Sequence, residues 1–268
     1  MKYVILGLIQ GLTEFLPVSS SGHLVIFQKL LNVSAGIPFD ITVHLATLLA
    51  VIIYFRRDLI EIIKQFFASF FKIFRREIGF VEAYNSIEYF RLAWLLLLAT
   101  MVTAVIGYKF SDFFENLFSS TKAVGSFLIL TGIIIFIAEA FPKGKKDIQK
   151  MNLWDSFVIG LAQAAAIAPG LSRSGTTVSA SLMRGLNREL AARFSFLLSI
   201  PIILGAGIFE IKKIADAPDL WPLLLGAVSA FLSGYLAIWA FMGIISKGSI
   251  RGFAYYCAAI GIAVLILL

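Results

Sequence analysis

The chain has 268 residues, of which 59% are hydrophobic and 15% charged, with a formal net charge of +7. Ordinary soluble domains carry about 25% charged residues, so this composition excludes a soluble enzyme and makes lipid the main solvent. The positive balance does not point to nucleic acid, because the basic residues fall in loops between apolar stretches, where the positive-inside rule accounts for them.

In chain order, the first predicted element is an apolar run over 3–32, broken near its middle by "PVSSSG". One lysine precedes it, and Gln10 and Glu14 stand where a cleavable signal would need small residues, so the segment is expected to stay in the mature protein. Residues 38–55 form the first spanning pattern, interrupted by Asp40 and His44; His44 has no polar cluster beside it in sequence and reads as structural. The stretch 56–79 is basic and aromatic at helical spacing, which predicts an amphipathic anchor on the inner leaflet. Further spans are predicted over 92–108, 123–138, 194–209, 220–246 and 252–268, giving about six by the length criterion of roughly 17–25 residues. Cys257 sits in the last of these and reads as a packing residue. Glu139, Glu189 and Glu210 fall near span ends and read as interfacial. Residues 154–187 form a second apolar run broken by Pro, Gly and Ser.

Counted by loop, Lys and Arg number seven in 56–91, four in 142–154, three in 184–193 and two in 247–251. These sixteen define the cytoplasmic side, against six on the other; Arg173 fits neither. On that assignment the two broken runs each start and finish on one face, which makes them re-entrant hairpins.

The two runs are also related to each other. "GLIQ" at 7–10 matches "GLAQ" at 160–163, and "SSSG" at 19–22 matches "SRSG" at 172–175, all at an offset of 153. The loop charges bring the two copies in from opposite faces, an inverted-topology repeat. The fold class is therefore an all-α polytopic membrane protein, one integral domain over 1–268 with repeat halves of about 1–141 and 154–268. Broken helices at membrane depth are tolerated where they line a watery cavity, so the two tips are predicted to meet around a polar site. Helix starts after the breaks would aim N–H groups there, which suits an anion.

Gln10 and Glu14, four apart, share a helical face. Glu14 as a carboxylate only accepts, so it needs a proton, an arginine or a hard cation. Ser19, Ser20 and Ser21 offer hydroxyls that can cap a helix, hold phosphate oxygens or attack phosphorus. Arg173 is a permanent cation at an intramembrane tip, and its planar fork suits phosphate, with a salt bridge to Glu14 as the alternative. His23, three residues after Ser20, suits general acid, general base or nucleophile. "PGLSRSGTT" lacks the lysine of a P-loop.

These two motifs, "QGLTEFLPVSSSGH" at 10–23 and "PGLSRSGTT" at 169–177, closely resemble the signatures of the undecaprenyl-diphosphate phosphatases, also called the bacitracin-resistance protein family. A weaker likeness to the type 2 phosphatidic acid phosphatases fails, because that family needs a histidine after its SR element and this chain has none after His44. The resemblance implies removal of the terminal phosphate from a C55 polyprenyl diphosphate, in a cell membrane, with bacitracin resistance as a consequence and the site open to the outer face. It implies a divalent cation, Mg²⁺ or Ca²⁺, at Glu14 with Gln10 beside it. Position by position, Ser20 and His23 fall on the nucleophile and acid/base, and Gly170, Ser172, Arg173, Ser174 and Thr177 on the phosphate-holding motif. The chain departs from the pattern at Gln10, an amide where many members have glutamate.

The working mechanism has Ser20 attacking phosphorus with help from His23, while attack by His23 or by water stays open, as does a homodimer. The main rival is a flippase or small-anion transporter built on the same inverted repeat. A non-catalytic membrane scaffold is the third reading.

Overall fold

The computed structural model describes residues 1–118, 120–215 and 219–267. Residue 268, the end of the last predicted span, lies outside the described residues. The order of elements is α1 (Lys2–Phe15), α2 (Ser20–Leu30), α3 (Gly36–Tyr54), α4 (Arg56–Phe74), α5 (Phe80–Ser86), α6 (Glu88–Lys109), α7 (Ser111–Phe118), α8 (Thr121–Ala138), a 3-10 turn at Ile148–Lys150, α9 (Leu153–Ala165), α10 (Arg173–Met183), α11 (Arg188–Ala215), α12 (Trp221–Lys247) and α13 (Arg251–Leu267). No strand occurs among the described residues.

Five helices are long and apolar enough to cross a bilayer: α3, α6, α8, the Arg188–Ile208 part of α11, and α12. The sixth predicted span is α13, an apolar helix of 17 residues at the short end of the spanning range. The protein is thus an all-α polytopic membrane protein. The pairs α1–α2 and α9–α10 are different. Their members have 14, 11, 13 and 11 residues, or about 16–21 Å each at 1.5 Å per residue, too short for the hydrocarbon core.

Proline explains both breaks. Leu16 is pushed into extended backbone by Pro17, ending α1. After α9 the chain turns through Pro169 and Gly170, whose φ of +92° is open to glycine. Each second helix then restarts on a serine cap at the repeat offset: Ser19 Oγ accepts from Gly22 N at 3.3 Å, and Ser172 Oγ from Gly175 N at 3.0 Å.

The packing repeats as well. α1 lies on α12 and α9 on α6; α3 packs on α12 and α11 on α6; α3 meets α11 and α8 meets α13. Small residues permit the closest of these approaches: a Cβ on Gly7 or Gly11 would overlap Ser229, Ser233 and the α12 backbone, and one on Gly160 would meet Ala99 of α6. Three span-length helices, α3, α6 and α8, separate the broken pairs, so in a bilayer the second pair starts on the face opposite the first.

α4 shows the predicted two-sided character, with Ile60, Ile63, Phe67, Phe70, Phe71 and Phe74 exposed beside its charges. It is also tied to the bundle, because Asp58 accepts from Arg193 and Gln65 Oε1 from Tyr89 N at 3.3 Å. Glu139 departs from the interfacial reading. Its carboxylate, 4% exposed, takes both Arg188 Nη atoms at 2.8 and 3.0 Å, Ser249 Oγ at 2.7 Å and Ile250 N at 3.1 Å. That latch joins α8, α11 and the start of α13.

Candidate active site

The two breaks meet. Ser174 Oγ donates to Leu16 O at 3.0 Å, and Gly170 N donates to Ser21 Oγ at 3.4 Å. Phe15 and Phe196, neighbours of Glu14 and Ser195, stack edge to face at 5.5 Å and close the apolar core behind the breaks. A polar pocket on a rigid apolar floor results. It is a cavity of about 140 Å³ whose wall includes Glu14, Ser20, Ser21, His44, Ser172 and Arg173.

Glu14, 7% exposed, is its hub. Oε1 accepts from Arg173 Nη2 at 2.6 Å, while Oε2 accepts from Ser20 Oγ at 2.6 Å and Gln10 Nε2 at 3.0 Å. Because a carboxylate only accepts, Gln10 must turn its NH₂ towards Glu14, and its Oε1 is left buried without a partner. Arg173 also reaches Ser195 O with Nη1 at 3.5 Å, and its side chain keeps 16% exposure. The salt bridge foreseen as an alternative therefore exists, and the same guanidinium forms part of the cavity wall.

The two histidines exchange the places expected of them. His23 is 3% exposed and is absent from the wall. Its Nδ1 lies 2.7 Å from Ser19 O, an acceptor, so Nδ1 carries the proton; Nε2 then accepts from Tyr256 OH at 2.8 Å, with the rings stacked 5.7 Å apart. The partner of Ser20 is Glu14, not His23. His44, read from sequence as structural, is on the wall. Its Nδ1 donates to Asp40 O at 2.7 Å, and its Nε2 lies 3.8 Å from Glu14 Oε2. The signal was present in sequence: two ionisable residues, Asp40 and His44, one turn apart in an apolar span.

The remaining motif residues divide by position. Ser19 and Ser172 line the cavity while capping α2 and α10, and Ser172 Oγ lies 3.2 Å from Ser174 Oγ. Thr177 was expected to hold phosphate, but it is fully buried, and its hydroxyl donates to Arg173 O at 2.7 Å and lies 2.6 Å from Ser195 Oγ. Its place is beneath the arginine, bracing the first turn of α10. Gly170 likewise shapes the loop: a Cβ there would overlap Val124 O. Thr131, Ser195 and Tyr256 carry no motif and were missed. Thr131 Oγ1 shares its one proton between Phe127 O at 3.0 Å and Gly170 O at 3.2 Å and accepts from Ser172 N at 3.0 Å, holding the second break in place.

Gly170→Ala should destabilise the protein by about 2 kcal/mol or more, since it adds both left-handed strain and overpacking. Gly243→Ala, with open space around it, should leave the melting temperature in detergent unchanged or slightly raised.

The chain is similar over nearly its whole length to known proteins. The family model described as bacitracin resistance protein BacA matches residues 3–263. A protein of Methanobrevibacter smithii named undecaprenyl-diphosphatase is 43% identical over 267 residues, covering 98% of this chain and 96% of that one. Proteins of the same name from Carboxydothermus hydrogenoformans and Rubrobacter xylanophilus are each 42% identical, covering 98% and 100% of this chain and 95% and 98% of theirs. Both broken helix pairs lie inside these matches, and the chain belongs to the bacitracin resistance protein BacA family.

Proposed function

We propose that the chain hydrolyses undecaprenyl diphosphate to the monophosphate and inorganic phosphate, returning the lipid carrier used in cell-wall synthesis and so conferring bacitracin resistance. The observation that carries this is the convergence, on one small cavity, of a half-buried arginine, a carboxylate-bonded serine and two capped helix starts from the two breaks. In this reading the site lies in the cell membrane and opens to its outer face, with the basic loops inside. The halves 1–141 and 154–268 each contribute one break.

In this reading the terminal phosphoryl group lies between Ser20 and Arg173. Ser20 Oγ gives its proton to Glu14 Oε2 and bonds to phosphorus; the bridging P–O bond breaks, and its electron pair leaves on the lipid monophosphate. That proton leaves Glu14 by way of His44; water then attacks the phosphoserine phosphorus and gives its proton to Glu14, which returns it to Ser20 Oγ as the Ser20 O–P bond breaks and phosphate leaves. Arg173 moves from Glu14 onto the phosphoryl oxygens, and the helix starts of α2 and α10 add oriented N–H dipoles where charge develops. His44 exchanges the proton held on Glu14. His23, with both ring nitrogens occupied, positions the first turn of α2.

A divalent cation, Mg²⁺ or Ca²⁺, belongs to the proposal. Among the described residues no three His, Cys, Asp or Glu side chains group as a ready cage. Magnesium commonly uses one or two carboxylates and completes its shell with water and substrate phosphate, so a single glutamate fits. Turning the Gln10 amide over would bring its unpartnered Oε1 to the Glu14 side as a second oxygen. Held there, the cation would offset the charge of the diphosphate.

Purified protein given the C55 diphosphate should release phosphate and lipid monophosphate in equal amounts. No phosphate release, combined with movement of lipid monophosphate across liposomes, would instead establish the transporter. The histidine assignment has its own test. His44→Leu should lower kcat about 10²-fold or more, within the range for a lost proton-transfer group. Tyr256→Phe should cost about 1 kcal/mol of stability for one hydrogen bond and leave kcat within about threefold. The reverse pattern would return the role to His23.

A further inference from the structure

The cavity between the breaks has one apolar side. Its polar wall comes from both halves of the repeat, but its apolar wall, Ala166, Ile167 and Leu171, belongs to the single turn that follows α9. The offset of 153 shows how that side arises. Ile167 stands where the first half has Glu14, and Arg173 where it has Ser20, so the two breaks share their serine caps and differ in chemistry. An isoleucine offers a phosphate oxygen nothing; what it can cover is hydrocarbon.

The same three side chains continue into a small apolar cluster. Leu171 packs with Ala168 and Phe114, and Ala166 and Ile167 border them together with Leu117 of α7 and Ile106 of α6. Ile167 is half-buried, and its Cδ1 would lie 3.0 Å from a Cβ on Gly107, so a bare position near the end of α6 leaves room for it. α7 carries the apolar surface outward: Phe113 is exposed, and its ring lies 5.5 Å from that of Phe114. In the orientation proposed above, α7 is on the outer side of the membrane. A larger apolar groove, of about 550 Å³, runs between α3 and α12, but no described residue lines both it and the cavity.

We infer that the turn at 166–171, with Phe114 and Leu117 of α7, seats the first isoprene units of the substrate chain, and that Ile167 is the residue that selects for a hydrocarbon tail. The inference rests on the hydrolysis reading for the head group. A cavity of about 140 Å³ takes a phosphate but not a C55 chain as well, so the chain must leave it. With the head held at Ser20 and Arg173, the apolar side over Ile167 leads the tail towards α7 without placing it against a charge.

Two measurements on the full-length protein in detergent test this. The first is photolabelling with a farnesyl monophosphate that carries a diazirine at the end of its chain, mapped by peptide mass analysis with undecaprenyl monophosphate as competitor. Label that competes should fall on 166–171 or on α7; competed label on α3 and α12, or no competed label, would overturn the inference. The second is kinetics on the C55 diphosphate. Ile167→Asn should lower kcat/KM about tenfold or more through KM, the scale of one methylene's apolar contact, with kcat within about threefold. Gly107→Val, whose Cβ meets Ile167 and no other described residue within 4 Å, should raise KM in the same way. Leu49→Trp, in the groove between α3 and α12, should change neither constant. Unchanged KM in both Ile167→Asn and Gly107→Val, or a raised KM in Leu49→Trp alone, would equally overturn it. A wild type that releases no phosphate would defeat the hydrolysis reading instead, and the photolabel would still decide where the tail lies.

Discussion

Arg173→Ala is expected to lower kcat/KM for diphosphate hydrolysis by at least about 10³-fold, the scale of losing a main charge-stabilising group in a water-poor site. The substitution also leaves Glu14 buried and unpaired, and breaking such a pair costs about 3–5 kcal/mol. The two effects separate in one double variant. Arg173→Ala with Glu14→Gln removes the orphaned charge, so melting temperature should recover towards wild type while activity stays lost. Arg173→Lys keeps the charge without the fork that reaches Glu14 and Ser195 O together, and should retain only a small part of the activity. If Arg173→Ala were as active as wild type, the salt bridge would be structural and the phosphate would lie elsewhere.

Ser20→Ala should be the second large loss, about 10⁴-fold in kcat, as for removal of a nucleophile that acts as a unit with its base. Its neighbour provides the control. Ser21 also lines the cavity, but its hydroxyl accepts from Gly170 N and lies 3.3 Å from Ser19 Oγ, with no bond to Glu14. Ser21→Ala should cost less than about tenfold, mostly through a loosened contact between the breaks. A similar small loss for both variants would favour direct attack by water.

The architecture was legible because lipid is a demanding solvent. Spans, loops and the 153-residue offset are all visible as runs of apolar residues, basic clusters and repeated Gln, Ser and Gly. The break positions followed from Pro17, Pro169 and their serine caps. Arg173 and Glu14 were recognisable because a charge within an apolar run demands a partner. Side-chain direction was not legible in the same way. His23 looked functional for standing next to three serines, yet its ring bonds to Ser19 O and to Tyr256, 233 residues later, while Ser20 bonds to Glu14. His44 looked isolated for the converse reason: its partner Glu14 is on another helix, 30 positions earlier. Thr177, in the motif, turns inward on the second turn of α10 and supports the arginine from below. Thr131 and Ser195, in ordinary spans, became visible only once the helices were packed.

The proposed hydrolysis turns on phosphoryl transfer at Ser20, between the two breaks. Its most direct measurement is rapid acid quench of the purified protein with polyprenyl diphosphate, followed by intact-mass and peptide analysis. Wild type should carry one phosphoryl group on the peptide containing Ser20, and Ser20→Ala none. A phosphoryl group on His23, or turnover at the wild-type rate in Ser20→Ala, would contradict it.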